Sequence, residues 1–136
     1  MVRFGTRGMA AQTPQQTRLT SFPRRGEIYL VTFDPTVGHE IRKTRPALVV
    51  QNDVSNRYSQ LTIVAAISSQ FDTPSRPREV IIEPDESGLP KVSVVLAGQI
   101  RTVDRRRLIK RLGSLSPMSM RRIDDALRIS LGLVEF

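Results

Sequence analysis

The sequence predicts a mainly β domain with a single C-terminal helix, built as a small twisted β-barrel or bent sheet. Two observations lead to this prediction. Short apolar runs rich in strand-forming residues recur along the middle of the chain, separated by glycine, proline and polar residues. After Ser116 the spacing of apolar residues changes to three and four, which is typical of an amphipathic helix. At 136 residues the chain has the length of one domain.

The predicted strands show either alternation or an unbroken apolar run. Residues 27–33 alternate and are rich in strand formers. Residues 46–50 form a continuous apolar run, which indicates a strand buried on both faces. By the same criteria we predict further strands at residues 61–67, 80–82, 92–100 and 109–115.

The connections follow from local signals. Residues 52–59 are predicted to form a turn-rich connector, and residues 104–108 one helical turn. Ser116 suits the N-cap of the final helix and Pro117 its first position. The apolar stripe of that helix consists of Met120, Ile123, Leu127 and Leu131.

Net charge is +8, and the basic residues are unevenly distributed. Residues 1–25 hold five arginines and no acid, and residues 101–111 hold a second basic cluster. Such clusters suit a polyanion partner, because neutralising phosphates releases counterions. A solvated charged face is the alternative interpretation. Because residues 1–22 also lack an apolar pattern, we predict a disordered basic extension at 1–22 and a folded domain at 23–136.

Composition narrows the possible compartments and chemistries. The chain has no cysteine, which suits a reducing cytoplasm, and no apolar run long enough for a membrane helix. Its single histidine rules out a pair of catalytic histidines, and its carboxylates are scattered along the sequence. There is no phosphate-binding glycine loop. We therefore expect no cofactor and no metal.

Arg45 is the strongest candidate for function on chemical grounds. It follows a long polar loop at residues 34–44, and loops of this kind on a sheet rim often carry function. Pro46 forces an extended backbone at Arg45 and so fixes the entry of the strand. The planar guanidinium matches the geometry of a phosphate. A surface salt bridge is the alternative. Ser68 and Ser69 end a buried strand, and spacing does not decide which hydroxyl reaches the rim.

From residue 25 onward the chain resembles the MazF/PemK toxin family. The matching strings are RGEIY at 25–29, FDPTVG at 33–38, TRPALV at 44–49, QND at 51–53, NR at 56–57 and QIRTVD at 99–104. Each is short, but their order and spacing cover the whole domain. The first 22 residues lie outside the resemblance.

The resemblance implies a homodimeric, sequence-specific, metal-independent endoribonuclease that cuts single-stranded mRNA. The implied fold is a small SH3-like barrel related to the gyrase poison CcdB. Such a toxin is neutralised by a cognate MazE-like antitoxin and meets DNA only through that antitoxin. The implied reaction is attack of the 2′-OH on the adjacent phosphorus, which leaves a 2′,3′-cyclic phosphate and a 5′-OH.

The family motifs also imply roles for individual residues. The catalytic arginine corresponds to Arg45, and its hydroxyl partner to Ser68, where the family typically has threonine. The loop after the first strand resembles a flap over the RNA, and His39 departs from the small residue often found there. The residues implied to bind RNA are His39, Glu40, Arg42, Lys43, Ser93, Gln99 and Arg101.

Two readings of a different class remain open from the sequence. One is a CcdB-like toxin that poisons gyrase without cutting RNA. The other is a catalytically silent module that binds RNA or an antitoxin. The arginine–proline string and the hydroxyl at the rim favour the nuclease.

Overall fold

The structure, a computed structural model, describes residues 21–33, 43–72 and 76–134. The extension predicted at residues 1–22 lies outside these ranges except for its last two residues. Three residues of the predicted flap, His39, Glu40 and Arg42, also lie outside them.

Six strands form one antiparallel sheet, as the alternating and apolar runs predicted. They are β1 (Glu27–Thr32), β2 (Thr44–Val49), β3 (Leu61–Ser68), β4 (Glu79–Ile82), β5 (Ser93–Asp104) and β6 (Leu108–Ser114). Their order in the sheet is β4-β5-β3-β2-β1-β6. The mainly β class and the C-terminal helix are therefore confirmed.

Three helices accompany the sheet: α1 (Asp53–Tyr58), α2 (Pro84–Ser87) and α3 (Pro117–Ser130). A 3-10 turn at Arg105–Arg107 occupies the predicted helical turn. As predicted, Ser116 caps α3, and its side chain accepts a hydrogen bond from the Ser119 N–H. The turn-rich connector predicted at residues 52–59 is instead largely α1, because the Asn52 side chain caps it by accepting from the Ser55 N–H at 2.8 Å.

The sheet buries apolar side chains on both faces. On one face Ile28, Leu48 and Val95 pack against Ile123 and Ala126 of α3. Three of the four residues of the predicted α3 stripe face this core: Ile123 is buried, and Met120 and Leu127 pack against it. The fourth, Leu131, follows the helix and is exposed. The cluster on the other face holds Val31, Ala47, Val49, Val64 and Val103, with Tyr29, Phe33 and Leu108 packed against it.

A polar network joins α1 to one end of the β2–β3 pair. Asn56 is fully buried, and its Oδ1 accepts from Gln51 Nε2 at 2.8 Å and from the Thr62 hydroxyl at 2.7 Å. Its Nδ2 donates to the Gln51 carbonyl and to Asp53 Oδ1. Each hydrogen-bonding atom of the buried amide thus has a partner.

The sheet is open in the described part of the chain, since no ladder joins its outer strands β4 and β6. The helix α2 bridges this gap by packing backbone to backbone against β6. A Cβ on Gly88 would overlap the Leu112 carbonyl, and one on Gly113 would overlap the Glu86 and Ser87 carbonyls. Gly88 also has a φ of 74°, which favours glycine. No described helix is both long and apolar enough to cross a membrane.

Candidate nucleic-acid interface and active site

Arg45 and Ser68 lie at the same end of the β2–β3 pair. Arg45 is the second residue of β2 and is exposed, whereas Ser68 is the last residue of β3. The antiparallel register pairs Ala47 with Ala66, so extending it by two residues sets Ser68 opposite Arg45. The two side chains predicted from sequence therefore meet at one rim.

The Ser68 hydroxyl takes part in a local turn. Its Oγ donates to the Gln70 carbonyl at 3.1 Å and accepts from the Gln70 N–H at 3.0 Å. Such a turn is common where serine ends a strand. The hydroxyl is half-buried and must rotate away from Gln70 before it can donate to another group.

Two cavities open on either side of this pair, and both are lined by Arg45, Ile67 and Ser68. One has a volume of about 530 Å³ and the other about 520 Å³. The first is completed by Pro46, Ser69, Gln70, Leu89, Pro90, Lys91 and Ser93. The second is completed by Phe33, Lys43, Ala66, Leu96, Gln99, Ile100 and Arg101.

A bulge in β5 shapes the second cavity. Ala65 pairs with Ile100 but the next residue, Ala66, pairs with Leu96, so residues 97–99 have no partner on β3. Bulges of this kind bend a strand and redirect its side chains. Gln99 is exposed as a result, and it lines the cavity instead of needing a partner within the core.

The charges that line the cavities are positive. Arg101 lies with its guanidinium carbon 5.0 Å from the centre of the Phe33 ring, which places a cation beside an aromatic face. Lys43 lies in the same cavity, and Lys91 lies in the other. Among the described residues that line either cavity there is no carboxylate. A polyanion would therefore meet attractive charges on both sides of Arg45.

The structure thus gathers most of the predicted site. Arg45, Ser68, Lys43, Ser93, Gln99 and Arg101 all line one or both cavities. Ser93 is the least available of them, since it is 2 % exposed and its hydroxyl donates to the Lys91 carbonyl. Lys91 was not predicted, although its place beside Pro90 in the turn before β5 was a signal that could have identified it.

The titratable groups with displaced pKa values lie outside both cavities. Burial, helped by a hydrogen bond to Glu27, raises the pKa of Tyr29 to about 12. Hydrogen bonds from Arg106 lower the pKa of Asp104 to about 2. Burial of Glu86 works against ionisation, but hydrogen bonds from Ser116 and Ser119 outweigh it and lower the pKa of this carboxyl.

Within the described ranges no three acidic or histidine side chains converge on a point that could hold a metal ion. The polar groups that do converge at Arg45 are guanidinium, ammonium, hydroxyl and amide. These groups are suited to donate hydrogen bonds to an anion.

Comparison with known proteins assigns this geometry to a family. Residues 24–131 match the family model described as PemK-like, MazF-like toxin of type II toxin–antitoxin system. The chain is 42% identical over 113 residues to endoribonuclease EndoA of Bacillus subtilis (strain 168), covering 83% of this chain and 97% of that protein.

Solved structures of proteins from this family have a similar fold. An endoribonuclease in complex with its cognate antitoxin, from Mycobacterial species, superposes with a TM-score of 0.69 at 27% identity, covering 84% of this chain and 99% of that chain. A MazE–MazF structure from Deinococcus radiodurans gives a TM-score of 0.69 at 28% identity, with the same coverage of each chain. The chain therefore belongs to the PemK-like, MazF-like toxins of type II toxin–antitoxin systems.

Proposed function

We propose that this chain is an endoribonuclease toxin that cuts single-stranded mRNA at the rim formed by Arg45 and Ser68. The observation that supports this most directly is that two positively lined cavities meet at this one pair. A single strand laid across both cavities would bring one phosphodiester against the guanidinium. Phosphate groups on either side would then lie near Lys91 in one cavity and near Lys43 and Arg101 in the other.

The proposed reaction is an intramolecular transfer within the RNA. The 2′-oxygen attacks the adjacent phosphorus while the bond from phosphorus to the 5′-oxygen breaks. The 2′-OH loses its proton and the leaving 5′-oxygen gains one, so the products carry a 2′,3′-cyclic phosphate and a 5′-OH. The reaction needs no external nucleophile and no metal. It does need donors for the charge that builds up on the phosphoryl oxygens.

Arg45 supplies these donors in our proposal. Its guanidinium has five N–H groups in a plane and can contact two phosphoryl oxygens at once. Pro46 and the β2 ladder fix the backbone on either side of it. Ser68 adds one further donor after its hydroxyl has turned away from Gln70. Serine rotates more freely than threonine, so this donor is less preorganised than the one typical of the family.

The remaining lining residues would bind the RNA rather than react with it. Lys43, Lys91 and Arg101 neutralise phosphates, and the amide of Gln99 can read the edge of a base. The other residues implied to bind RNA, His39, Glu40 and Arg42, lie outside the described ranges.

The partners follow from the same assignment. We propose a homodimer in the cytoplasm, silenced by a cognate MazE-like antitoxin whose acidic segment covers the positive cavities. Contact with DNA would come only through that antitoxin. The Mycobacterial endoribonuclease solved in complex with its cognate antitoxin supports an antitoxin partner for this chain.

The test is cleavage of a long natural mRNA by the purified protein in excess EDTA. We expect cleavage at a small set of sites, with cyclic phosphate and 5′-OH ends, and no cleavage where the nucleotide before the cut has 2′-deoxyribose. Products with 5′-phosphate ends, or a strict need for Mg²⁺, would contradict the mechanism. Failure to cut combined with inhibition of gyrase would favour the CcdB-like alternative. RNA binding without any cutting would favour the silent module.

A further inference from the structure

Beside the second cavity lies a smaller cleft of about 160 Å³ lined by two arginines. Its walls are Arg76, Arg78, Glu79, Leu96, Gly98 and Gln99. Leu96 and Gln99 also line the second cavity, so the cleft continues the concave surface away from Arg45. Neither arginine was predicted from the sequence to bind RNA.

The bulge of β5 builds this cleft. Residues 97–99 leave the ladder with β3, and the Ala97 N–H donates to the Arg78 carbonyl at 2.8 Å. This hydrogen bond holds the bulge against Arg78, the residue just before β4. The Arg78 side chain then lies across Gly98, since a Cβ built there would be 3.3 Å from a terminal guanidinium nitrogen and 3.6 Å from Cδ. The missing side chain at Gly98 makes room for the guanidinium.

The charge of Arg78 is available to a ligand. Within the described ranges no carboxylate lies within salt-bridge distance of Arg76 or Arg78. Glu79, the one acid in the cleft, accepts a hydrogen bond from the Arg76 backbone N–H at 3.2 Å. Arg78 is exposed to solvent and backed by Gly98. A guanidinium supported in this way is oriented before an anion arrives, which reduces the entropy lost on binding.

We propose that Arg78, held across Gly98 and assisted by Arg76, binds the backbone phosphate of a nucleotide that flanks the cut. This inference rests on the proposed RNA cleavage at Arg45 and extends the RNA path beyond the second cavity. A phosphate is the favoured ligand because the guanidinium of an arginine can contact two phosphate oxygens at once, and two arginines line this cleft. The site therefore adds affinity for longer RNA without adding sequence preference.

The experiment compares two uncleavable RNA oligomers that share one mapped cut site, each with 2′-deoxyribose at the nucleotide before the cut. The short oligomer has two nucleotides on either side of the cut. The long oligomer has four more at each end. Equilibrium affinity for both is measured over a range of salt concentrations for the wild type and for Arg78→Ala, Arg78→Lys, Gly98→Ala and Arg121→Ala. Arg121 is the matched control, since it is exposed on α3 and its loss removes the same charge.

We expect Arg78→Ala to lower the ratio of long to short affinity roughly tenfold. The salt slope for the long oligomer should fall by about 0.7, the value for one phosphate contact on a single strand. Gly98→Ala, which keeps the charge but displaces the guanidinium, should lower the ratio in the same direction by less. Arg78→Lys should restore most of the salt slope. The Arg121→Ala ratio should equal that of the wild type.

Three results would overturn the proposal while leaving the proposed function intact. One is an unchanged ratio in Arg78→Ala in a protein that still cuts RNA. The second is an equal fall in the ratio for Arg121→Ala, which would reveal a general charge effect. The third is an unchanged affinity ratio together with altered cut sites when Arg78→Ala is tested on the natural mRNA, which would indicate contact with a base. A wild type that binds neither oligomer would instead overturn the proposed function together with this site.

Discussion

The two ends of the β2–β3 pair differ in whether their polar side chains have hydrogen-bond or ion-pair partners. At the end joined by α1, Asn56 is fully buried and each of its hydrogen-bonding atoms has a partner. At the other end Arg45 is exposed, and the described residues offer its charge no partner carboxylate. A satisfied polar group holds the fold together. A charged group fixed in place without a partner is suited to meet a ligand, so function is expected where the polar groups are unsatisfied.

The largest effect on RNA cleavage should come from substituting Arg45, at the end whose charge has no partner carboxylate among the described residues. We expect Arg45→Ala to lower the rate of RNA cleavage by about 10²–10³, the usual loss when one preorganised donor to the transition state is removed. The free energy of unfolding should stay close to that of the wild type, because Arg45 is exposed. Single-turnover cleavage and urea unfolding measure the two quantities, with Arg121→Ala as the control. Wild-type cleavage by Arg45→Ala would mean that the catalytic arginine lies elsewhere.

Substituting Asn56, at the end where the polar groups are hydrogen-bonded, should instead lower stability and leave cleavage nearly unchanged. Asn56→Ala leaves the Gln51 amide and the buried Thr62 hydroxyl without their partner, and we expect a loss of about 3 kcal/mol in unfolding free energy. Cleavage per folded molecule should be nearly unchanged. Urea unfolding checks the first point, and Gln60→Ala, which removes an exposed amide, is the control. Equal stability of the two variants would show that the network contributes little.

Replacement of the hydroxyl at the rim should have an intermediate effect. Ser68→Ala removes one donor that must first leave its turn with Gln70, so the rate should fall by about tenfold, less than for Arg45→Ala. Ser68→Thr should keep or raise activity, because the β-branched side chain has fewer rotamers. Ser69→Ala serves as the register control. A larger loss in Ser69→Ala than in Ser68→Ala would assign the catalytic role to the neighbouring serine.

The smallest effect concerns the acidic anchor of α3. Glu86 accepts from the Ser116 N–H at 2.7 Å and from the Ser119 hydroxyl at 2.8 Å, and Glu86→Ala should cost about 1 kcal/mol at pH 7. The folded pKa of Glu86 lies below its ordinary value of 4.5. Its contribution is therefore complete above that value and is lost as pH falls through the lower folded pKa.

Urea unfolding from pH 7 to pH 3 measures this dependence. The difference in stability between wild type and Glu86→Ala should narrow as the pH falls. Asp85→Ala, at an exposed neighbouring position with the same change of charge, is measured alongside as the control variant. A difference that stays constant with pH would mean that packing, rather than the ionised carboxylate, accounts for the loss.

Features that depend on neighbouring residues were predictable from the sequence. Ser116 caps α3 by accepting a hydrogen bond from the N–H of Ser119, only three residues away. The apolar runs likewise indicate strands without reference to the rest of the chain. The helix α1 was missed for a local reason. Asn52 and its polar neighbours favour both turns and helix caps, and a six-residue helix is too short to show an apolar period.

The site was predictable only in part. The ends of two predicted strands placed Arg45 and the pair Ser68–Ser69 at a rim of the sheet, and the family resemblance then selected Ser68 as the candidate hydroxyl. The bulge at residues 97–99 could not be predicted, since it is an offset between two strands and leaves no signal in either one alone. Arg78 was missed for the same reason, because its position depends on the bulge. Glu86, which reaches a serine 33 residues away, likewise shows its role only in the folded chain.

The contact between Gly88 and Gly113 has a consequence for how this protein tolerates mutation. Gly88 of the α2 end lies against a backbone carbonyl of β6, and Gly113 of β6 lies against backbone carbonyls of α2. Neither contact leaves space for a methyl group, so alanine at either position must push α2 away from β6. In a screen scored by survival of cells that express the toxin, both positions would appear as inactivating as Arg45, though they lie outside both cavities. Measuring soluble protein in the same cells would separate them, since only the glycine variants should be depleted. Survival data alone would therefore assign the α2–β6 contact at Gly88 and Gly113 to the active site.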